Sequence, residues 1–459
     1  MSESDKIPCR QAGFSYFYTL HCVEISNSGI VTATGKQSLA AKGRPPEKPA
    51  KRSFSGKCGI ALLVLVPLAV YFRVVTLDYI NIDDYHFIVT GKAYNQDLSN
   101  IYRSFERGLF QPADKTIYDY YRPLFLVDII LEYQLFGEKP LGYHLTNLVF
   151  HILSVILLYL FLKRIRVGDT PSLILALVFA VHPALSHAVA WISGRNDMML
   201  MIFLLSAMIF TVDYGLKRSR HAFLLQALFF LLAVFTKETA VIIPLLGIMI
   251  LAGVMKIPWK SIGPLGLSWL GVLLFWFFME SFVKQSGHRF PVGEMIGSGL
   301  GRIPALLQYF GKVILPVNLM VHPRIEDISP VWGILALAAI GAVVVLSKSY
   351  KNALTWTGAA WFLLFLIPVL AVPRTFSDLV YEHRLYVPLA GVLLILSPTF
   401  LLDGRKGDRV RLFFAGTLIL VFGVMSFIRT GYYKGPLEYW SRAVAESPRD
   451  AYALQMMGT

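Results

Sequence analysis

Cysteine is nearly absent from this chain, and the three present lie at one end: Cys9, Cys22 and Cys58. No disulfide can therefore brace a loop beyond the first apolar run, and no C-x-x-C spacing offers a thiolate metal site. Charge is scarce as well. Only 16% of the residues are Asp, Glu, Lys or Arg, against about a quarter in an ordinary soluble domain. A water-soluble fold of this length needs far more polar surface than that. Three motifs are also missing: the phosphate-cradling G-x-x-x-x-G-K-[ST], the nucleophile elbow G-x-S-x-G and the zinc-binding H-E-x-x-H. Soluble NTPase, serine-hydrolase and zincin chemistry thus lack support.

What is present is apolar. Of 459 residues 55% are hydrophobic, and the mean hydropathy is +0.57. Aromatics at 14% suit the belts found at membrane interfaces. The net charge of +14 raises nucleic acid as a partner. The basic residues, however, sit in short clusters between apolar runs, the pattern of loops held on the cytoplasmic side, so nucleic acid is set aside. Residues 1–56 are polar and aperiodic and end in the Pro-rich basic stretch GRPPEKPAKRSF, which predicts a disordered cytoplasmic tail. The apolar run 58–80 is too long and too far along the chain for a cleaved signal and lacks an A-x-A site, so it reads as an anchor.

Crossing roughly 30 Å of hydrocarbon takes about 20 helical residues. The spans expected are 58–78, 144–163, 171–190, 197–214, 221–236, 239–255, 262–283, 331–347, 354–372, 385–402 and 411–429. The fold class is an all-α polytopic membrane protein of about eleven transmembrane helices, with a long first external loop over 81–143. With the N-terminus inside, every internal link is basic: Lys163 to Arg166, Lys217 to Arg220, Lys256 and Lys260, Lys348 and Lys351, and Arg405 to Arg411. This parity holds only if the apolar stretch 304–319 dips without crossing, as a re-entrant or interfacial segment. The C-terminus then lies outside. Polar groups at membrane depth are costly and usually functional, and here they collect on the external side.

The first external loop opens with Asp83-Asp84 just past a span. Such a pair offers a general base, a metal ligand or both, or simply a helix N-cap. Arg122 in YYRPLF suits phosphate by its planar fork, and equally an interfacial anchor. Asp128 and Glu132, four apart, share a face of an amphipathic helix expected to lie on the membrane. His144, Asn147 and His151 fall on one helical stripe; His151 reads as an interhelical hydrogen bonder, while His144 and Asn147 are near enough to the external end to reach a ligand. His182-Pro183 interrupts the third span, since proline removes a backbone donor, and leads to His187, Trp191 and the turn Gly194-Arg195-Asn196-Asp197. Arg195 and Asp197 fit a turn salt bridge as well as a ligand site. Lys237-Glu238 at the fifth junction, and Glu382 with Arg384 at another external mouth, each allow local neutralisation or ligand binding.

Taken in order, these clusters resemble the membrane portion of the transmembrane and tetratricopeptide-repeat-containing proteins, which are GT-C-type glycosyltransferases, and are similar to bacterial relatives of the protein O-mannosyltransferases. The resemblance rests on DDYHFI, YYRPLF, GYHLTNLVFHIL, LVFAVHPALSHAVAWISGRNDMM, TKETAVIIPLL and YEHRLYVPLAGVLLIL. It covers roughly 58–430, the VHP…AVAWISGR block being its most specific part. It implies a GT-C-like bundle, a polyprenyl-phosphate sugar donor such as a mannosyl lipid, a protein or glycan acceptor, and inverting transfer on the non-cytoplasmic face. It also implies that Asp83 or Asp84 is catalytic, with His144, Asn147, His182, Arg195, Asp197, Lys237, Glu238, Glu382, Arg122 and Arg384 as the donor- and substrate-binding set. No cofactor is required by this resemblance, and a divalent cation such as Mg or Mn, held by Asp83 and Asp84, stays open.

The domain plan is therefore a tail over 1–56, a transmembrane domain over 57–430 and an external segment over 431–459. The last holds Trp440, Ala443, Pro448, Ala451, Leu454 and Gly458, the edge of one tetratricopeptide-like repeat. One partial repeat cannot bury its own apolar face. A non-catalytic membrane scaffold is the alternative function. A lipid or small-molecule transporter is a weaker one, because the 81–143 loop has no counterpart in the second half and inverted repeats are missing. The expected compartment is a bacterial inner membrane, on the lack of cysteine and the scarcity of N-x-[ST] in exported loops, or the endoplasmic reticulum membrane of a eukaryote.

Overall fold

The computed structural model describes residues 25–26, 29–30, 57–110, 120–283, 292–372, 378–402 and 408–458. The chain divides into two units, 1–52 and 53–459. In the first, Ile25–Ser26 and Gly29–Ile30 pair antiparallel; the rest of the expected tail over 1–56 lies outside the described residues. So do 111–119 of the first loop and 373–377 of PRTFSDLVYEHR.

The second unit is a helical bundle. Six helices are long and apolar enough to cross a membrane: Lys57–Thr76, Pro140–Arg164, Ile192–Lys217, Trp259–Val283, Ala353–Leu370 and Arg409–Tyr433. A seventh candidate is the pair Asp169–Val181 and Pro183–Ala190, bent by 49° at His182. Pro183 cannot continue the backbone ladder, and it forces the preceding residue towards extended geometry. His182 accordingly sits at φ −67°, ψ 124°. The protein is thus a multi-span membrane protein.

The remaining expected spans are shorter. Arg220–Thr236, Glu238–Val254 and Val331–Leu346 are apolar helices of 10–17 residues, and 385–402 contains the eleven-residue helix Tyr386–Leu396. That last helix is buried on every side from Tyr386 to Ile395. Its neighbour Ala353–Leu370 approaches so closely that a Cβ on Gly391 would lie 2.6 Å from the Gly358 carbonyl oxygen. Within 304–319 the helix is Ile303–Ile314, twelve residues or about 18 Å of rise, too short to cross alone.

Four of the links expected to lie inside share a further feature. Among the described residues, Arg166, Arg218, Lys256 and Lys348 all adopt positive φ, between 54° and 67°. Arg218 follows its helix directly and its N–H caps the Tyr214 carbonyl. A basic side chain here also meets the negative end of the helix dipole.

Candidate active site

Asp83 and Asp84 begin a short helix, Asp83–Tyr85, directly after the first span. Their surroundings differ. Asp84 is 1% exposed, and its carboxylate accepts three backbone N–H groups: Ile80 at 2.9 Å, Ile82 at 3.1 Å and Tyr85 at 2.9 Å. It is the tie that folds the turn. Asp83 is half-buried and accepts no hydrogen bond from the described residues. Burial lifts its pKa to about 7; the Asp84 charge adds to the rise and the Arg122 guanidinium opposes it. A carboxyl poised there can take a proton near neutral pH.

Arg122 immediately precedes the helix Pro123–Phe136, which brings it beside Asp83. Its fork holds Glu238 in two bonds, Nε to Oε2 at 3.0 Å and Nη2 to Oε1 at 2.7 Å. The guanidinium also lies 4.2 Å from the centre of the Tyr120 ring. Next to it the buried Lys237 Nζ donates to Asp197 Oδ1 at 2.7 Å. Asp83, Arg122, Asp197, Lys237 and Glu238, far apart in sequence, thus form one charged patch.

Arg195 has another setting. It is fully buried, and its Nη1 pairs with Asp128 at 2.7 Å and with Glu132. Nη2 donates to the Tyr143 carbonyl at 2.7 Å, and Nε to Asn147 Oδ1 at 2.9 Å. Asn147 in turn donates to the carbonyls of Val189 and Trp191 at 3.2 and 3.0 Å. Arg195 and Asn147 therefore pin the turn 189–195 against the acidic face of Pro123–Phe136. His182 is held too: Nδ1 accepts from the Ala184 N–H at 3.2 Å, and Nε2 is 2.9 Å from the Val313 carbonyl oxygen. His144 is buried on the stripe it shares with Asn147.

Glu382 is completely buried. Its Oε1 accepts from Lys312 Nζ and the Met320 N–H, both at 2.7 Å, and its Oε2 accepts from Arg429 Nη2 at 2.8 Å. Arg384, half-buried, donates to the Leu379 carbonyl at 2.8 Å. Lys312 and Arg429 escaped the sequence reading, although each is a cation within an apolar stretch, the signal that marks such residues as functional. Tyr381 and His322 escaped it with no comparable signal. The Tyr381 hydroxyl is 3.2 Å from His322 Nδ1, and Tyr381 lies near enough to Asp83 for that carboxylate to raise its pKa further, after burial.

Among the described residues no three His, Cys, Asp or Glu side chains converge on one point, and backbone N–H groups already engage both oxygens of Asp84.

No protein-family model matches the chain. It is 24% identical over 354 residues to a protein O-mannosyl-transferase of Caenorhabditis elegans, covering 72% of this chain and 49% of the relative. Over 88 residues it is 42% identical to protein O-mannosyl-transferase TMTC3 of Mus musculus, covering 19% of this chain and 9% of the relative. The chain thus spans about half the length of the nematode relative, and less of the mouse one. Among solved structures it resembles ArnT from Cupriavidus metallidurans in the apo state, with a TM-score of 0.50 and 14% identity, over 84% of this chain and 69% of that one. In sequence this chain is similar to the TMTC-type protein O-mannosyl-transferases, and in architecture it shares the fold of the GT-C membrane glycosyltransferases.

Proposed function

We propose that this protein transfers a sugar, mannose in the first instance, from a polyprenyl phosphate to an acceptor hydroxyl on the non-cytoplasmic face of its membrane. The observation that carries the reading is Asp83: a half-buried carboxylate with no hydrogen bond from the described residues, at a pKa of about 7, beside the ion pairs Arg122–Glu238 and Lys237–Asp197. Asp83 accepts the proton of the acceptor O–H as the acceptor oxygen forms its bond to the anomeric carbon. The bond from that carbon to the phosphate oxygen breaks, and its electron pair leaves with the polyprenyl phosphate. Attack opposite the leaving group inverts the anomeric centre. The departing phosphate is stable without a proton, so a single carboxylate suffices.

Arg122 and Lys237 supply positive charge for the phosphate, as preorganised cations do where negative charge develops. The Arg384 guanidinium lies 5.9 Å from the centre of the Tyr381 ring. The reaction runs through no metal ion in this scheme. A protein or glycan serves as acceptor, and an endoplasmic reticulum or bacterial inner membrane equally provides the face.

The test is incorporation of label from polyprenyl-phosphate mannose in membranes carrying wild type, Asp83→Asn or Asp84→Asn, each assayed with EDTA. Asp83→Asn is expected to lower transfer by about 10²- to 10⁴-fold, the usual worth of a positioned base, with normal membrane insertion. Equal incorporation by wild type and Asp83→Asn would sink the catalytic assignment.

A further inference from the structure

The cations of the candidate active site are matched: Arg122, Lys237, Arg195, Lys312 and Arg429 each face a carboxylate. At the other ends of the spans they are not. Three links, 214–220, 256–261 and 347–353, together carry seven Lys or Arg and no Asp or Glu. All seven are exposed, and none pairs with a carboxylate among the described residues. Asp213, just before the first link, is taken by Arg164 at 2.7 Å. The links adjoin one another. Arg218 Nη1 donates to the Ser261 carbonyl at 2.6 Å. A Cβ on Gly215 would lie 3.6 Å from Ile257 Cγ1, and one on Gly253 would lie 3.8 Å from Ala353 Cβ.

Like charges gathered on one surface repel, and anions from outside relieve that repulsion. The aromatic residues indicate which anion. Trp259 opens the apolar helix Trp259–Val283, and Trp356 lies in the first turn of Ala353–Leu370. Both are exposed, as is Tyr350, whose carbonyl accepts the Trp356 indole N–H at 2.8 Å. Exposed tryptophan and tyrosine at the ends of apolar helices belong at the headgroup level of a bilayer. A soluble polyanion needs no such belt. The preceding part of the chain supplies no counter-charge either, with nine Lys or Arg against four Asp or Glu over residues 1–57.

We propose that the links 214–220, 256–261 and 347–353 form one surface that binds the phosphate headgroups of anionic lipids, with Trp259, Tyr350 and Trp356 setting its depth in the leaflet. The surface lies apart from the candidate active site, and its role is independent of the sugar-transfer reading. Anionic lipid neutralises these helix ends as carboxylates neutralise the cations at the opposite face.

The experiment uses the full chain in mild detergent with an equimolar mixture of phosphatidylglycerol and phosphatidylcholine, and measures how much of each lipid the protein retains. Wild type is expected to retain phosphatidylglycerol in preference. High salt should abolish that preference, because the screening length falls from about 30 Å at 0.01 M to about 3 Å at 1 M. Lys217→Gln, Lys256→Gln and Lys348→Gln combined should reduce the preference by about fivefold for each lysine removed, the worth of one basic residue beside an anionic leaflet. Retention of phosphatidylcholine should not change, which also reports an intact fold. A control triple, Lys92→Gln, Lys139→Gln and Lys434→Gln, removes equal charge from exposed lysines at the opposite ends of the spans and should keep the wild-type preference. Absence of preference in wild type, a preference that survives high salt, or equal loss in both triples overturns the assignment. So does a first triple that keeps its phosphatidylglycerol but loses binding to heparin, which would make the partner a soluble polyanion. The salt series needs wild type alone, so it decides the matter even where a variant fails to fold.

Discussion

At the scale of the residue, two adjacent aspartates with the same chemistry end in opposite states. Three backbone N–H groups hold Asp84 in a turn, whereas Asp83 keeps its carboxylate unengaged by the described residues at a pKa of about 7. The dipeptide alone does not separate the two, because it does not reveal which side chain the chain folds back upon. The separation makes a prediction about pH. Asp83 must be ionised to accept a proton, so kcat/KM for transfer should rise with pH along a limb centred near 7. The Asp84 charge raises Asp83, so Asp84→Asn should move that limb to lower pH. The Arg122 charge lowers it, so Arg122→Gln should move the limb to higher pH. Profiles from about pH 5 to 9 report the ionisation in the free enzyme. A flat wild-type profile, or shifts of the same sign in both variants, would contradict the role given to Asp83.

At the scale of the element, helix existence was legible and helix length was less so. Long apolar runs fixed the six strongest spans, and proline marked the bend after Val181. The helix Tyr386–Leu396 is only eleven residues long, yet its sequence is as apolar as a span, because protein rather than lipid covers it on all sides. The turn 189–195 shows the same limit. Arg195 read equally as a phosphate ligand or a turn salt bridge, and its partners come from Asp128, Glu132, Tyr143 and Asn147, residues that only folding brings near. Those bonds need a planar fork, which lysine lacks at equal charge. Arg195→Lys should therefore destabilise the protein by about 3 kcal/mol, the scale for breaking a buried ion pair, and weaken transfer through the displaced turn. Thermal unfolding in detergent checks this, with a lower Tm expected for Arg195→Lys than for wild type. An unchanged Tm would show that the turn is held by packing alone.

At the scale of the whole molecule, the functional groups converge because distant segments are tied together at one end of the bundle, and the C-terminal hairpin is one of the ties. Pro436–Glu446 and Ala451–Gly458 look in sequence like the edge of a repeat with nothing to cover its apolar face. That face has a cover within the same unit. Tyr439 and Trp440 are buried; the Tyr439 hydroxyl donates to the Val321 carbonyl at 2.9 Å, and Glu446 accepts from the Val321 N–H at 2.7 Å. His322, next in sequence, stacks on Tyr452 at 5.9 Å and touches Tyr381 at 5.5 Å. The Tyr452 hydroxyl feels Asp83, which joins burial and Asp450 in raising its pKa. The hairpin is thus seated on the segment Val321–His322, a contact that the sequence could not show because its partners lie more than 100 residues away. Arg324 is the electrostatic clasp: it bridges Asp450 at 3.0 Å and Asp378 at 2.5 Å. Asp450 is 1% exposed on its side chain, so removing Arg324 leaves a buried carboxylate without its strongest counter-charge, at a cost of about 1–3 kcal/mol. Arg324→Ala should loosen the hairpin, seen as faster limited proteolysis after about residue 446, while Arg324→Ala with Asp450→Asn should recover part of the protection by removing the stranded charge. If the single variant is cut no faster than wild type, aromatic packing around Trp440 alone seats the hairpin against the site.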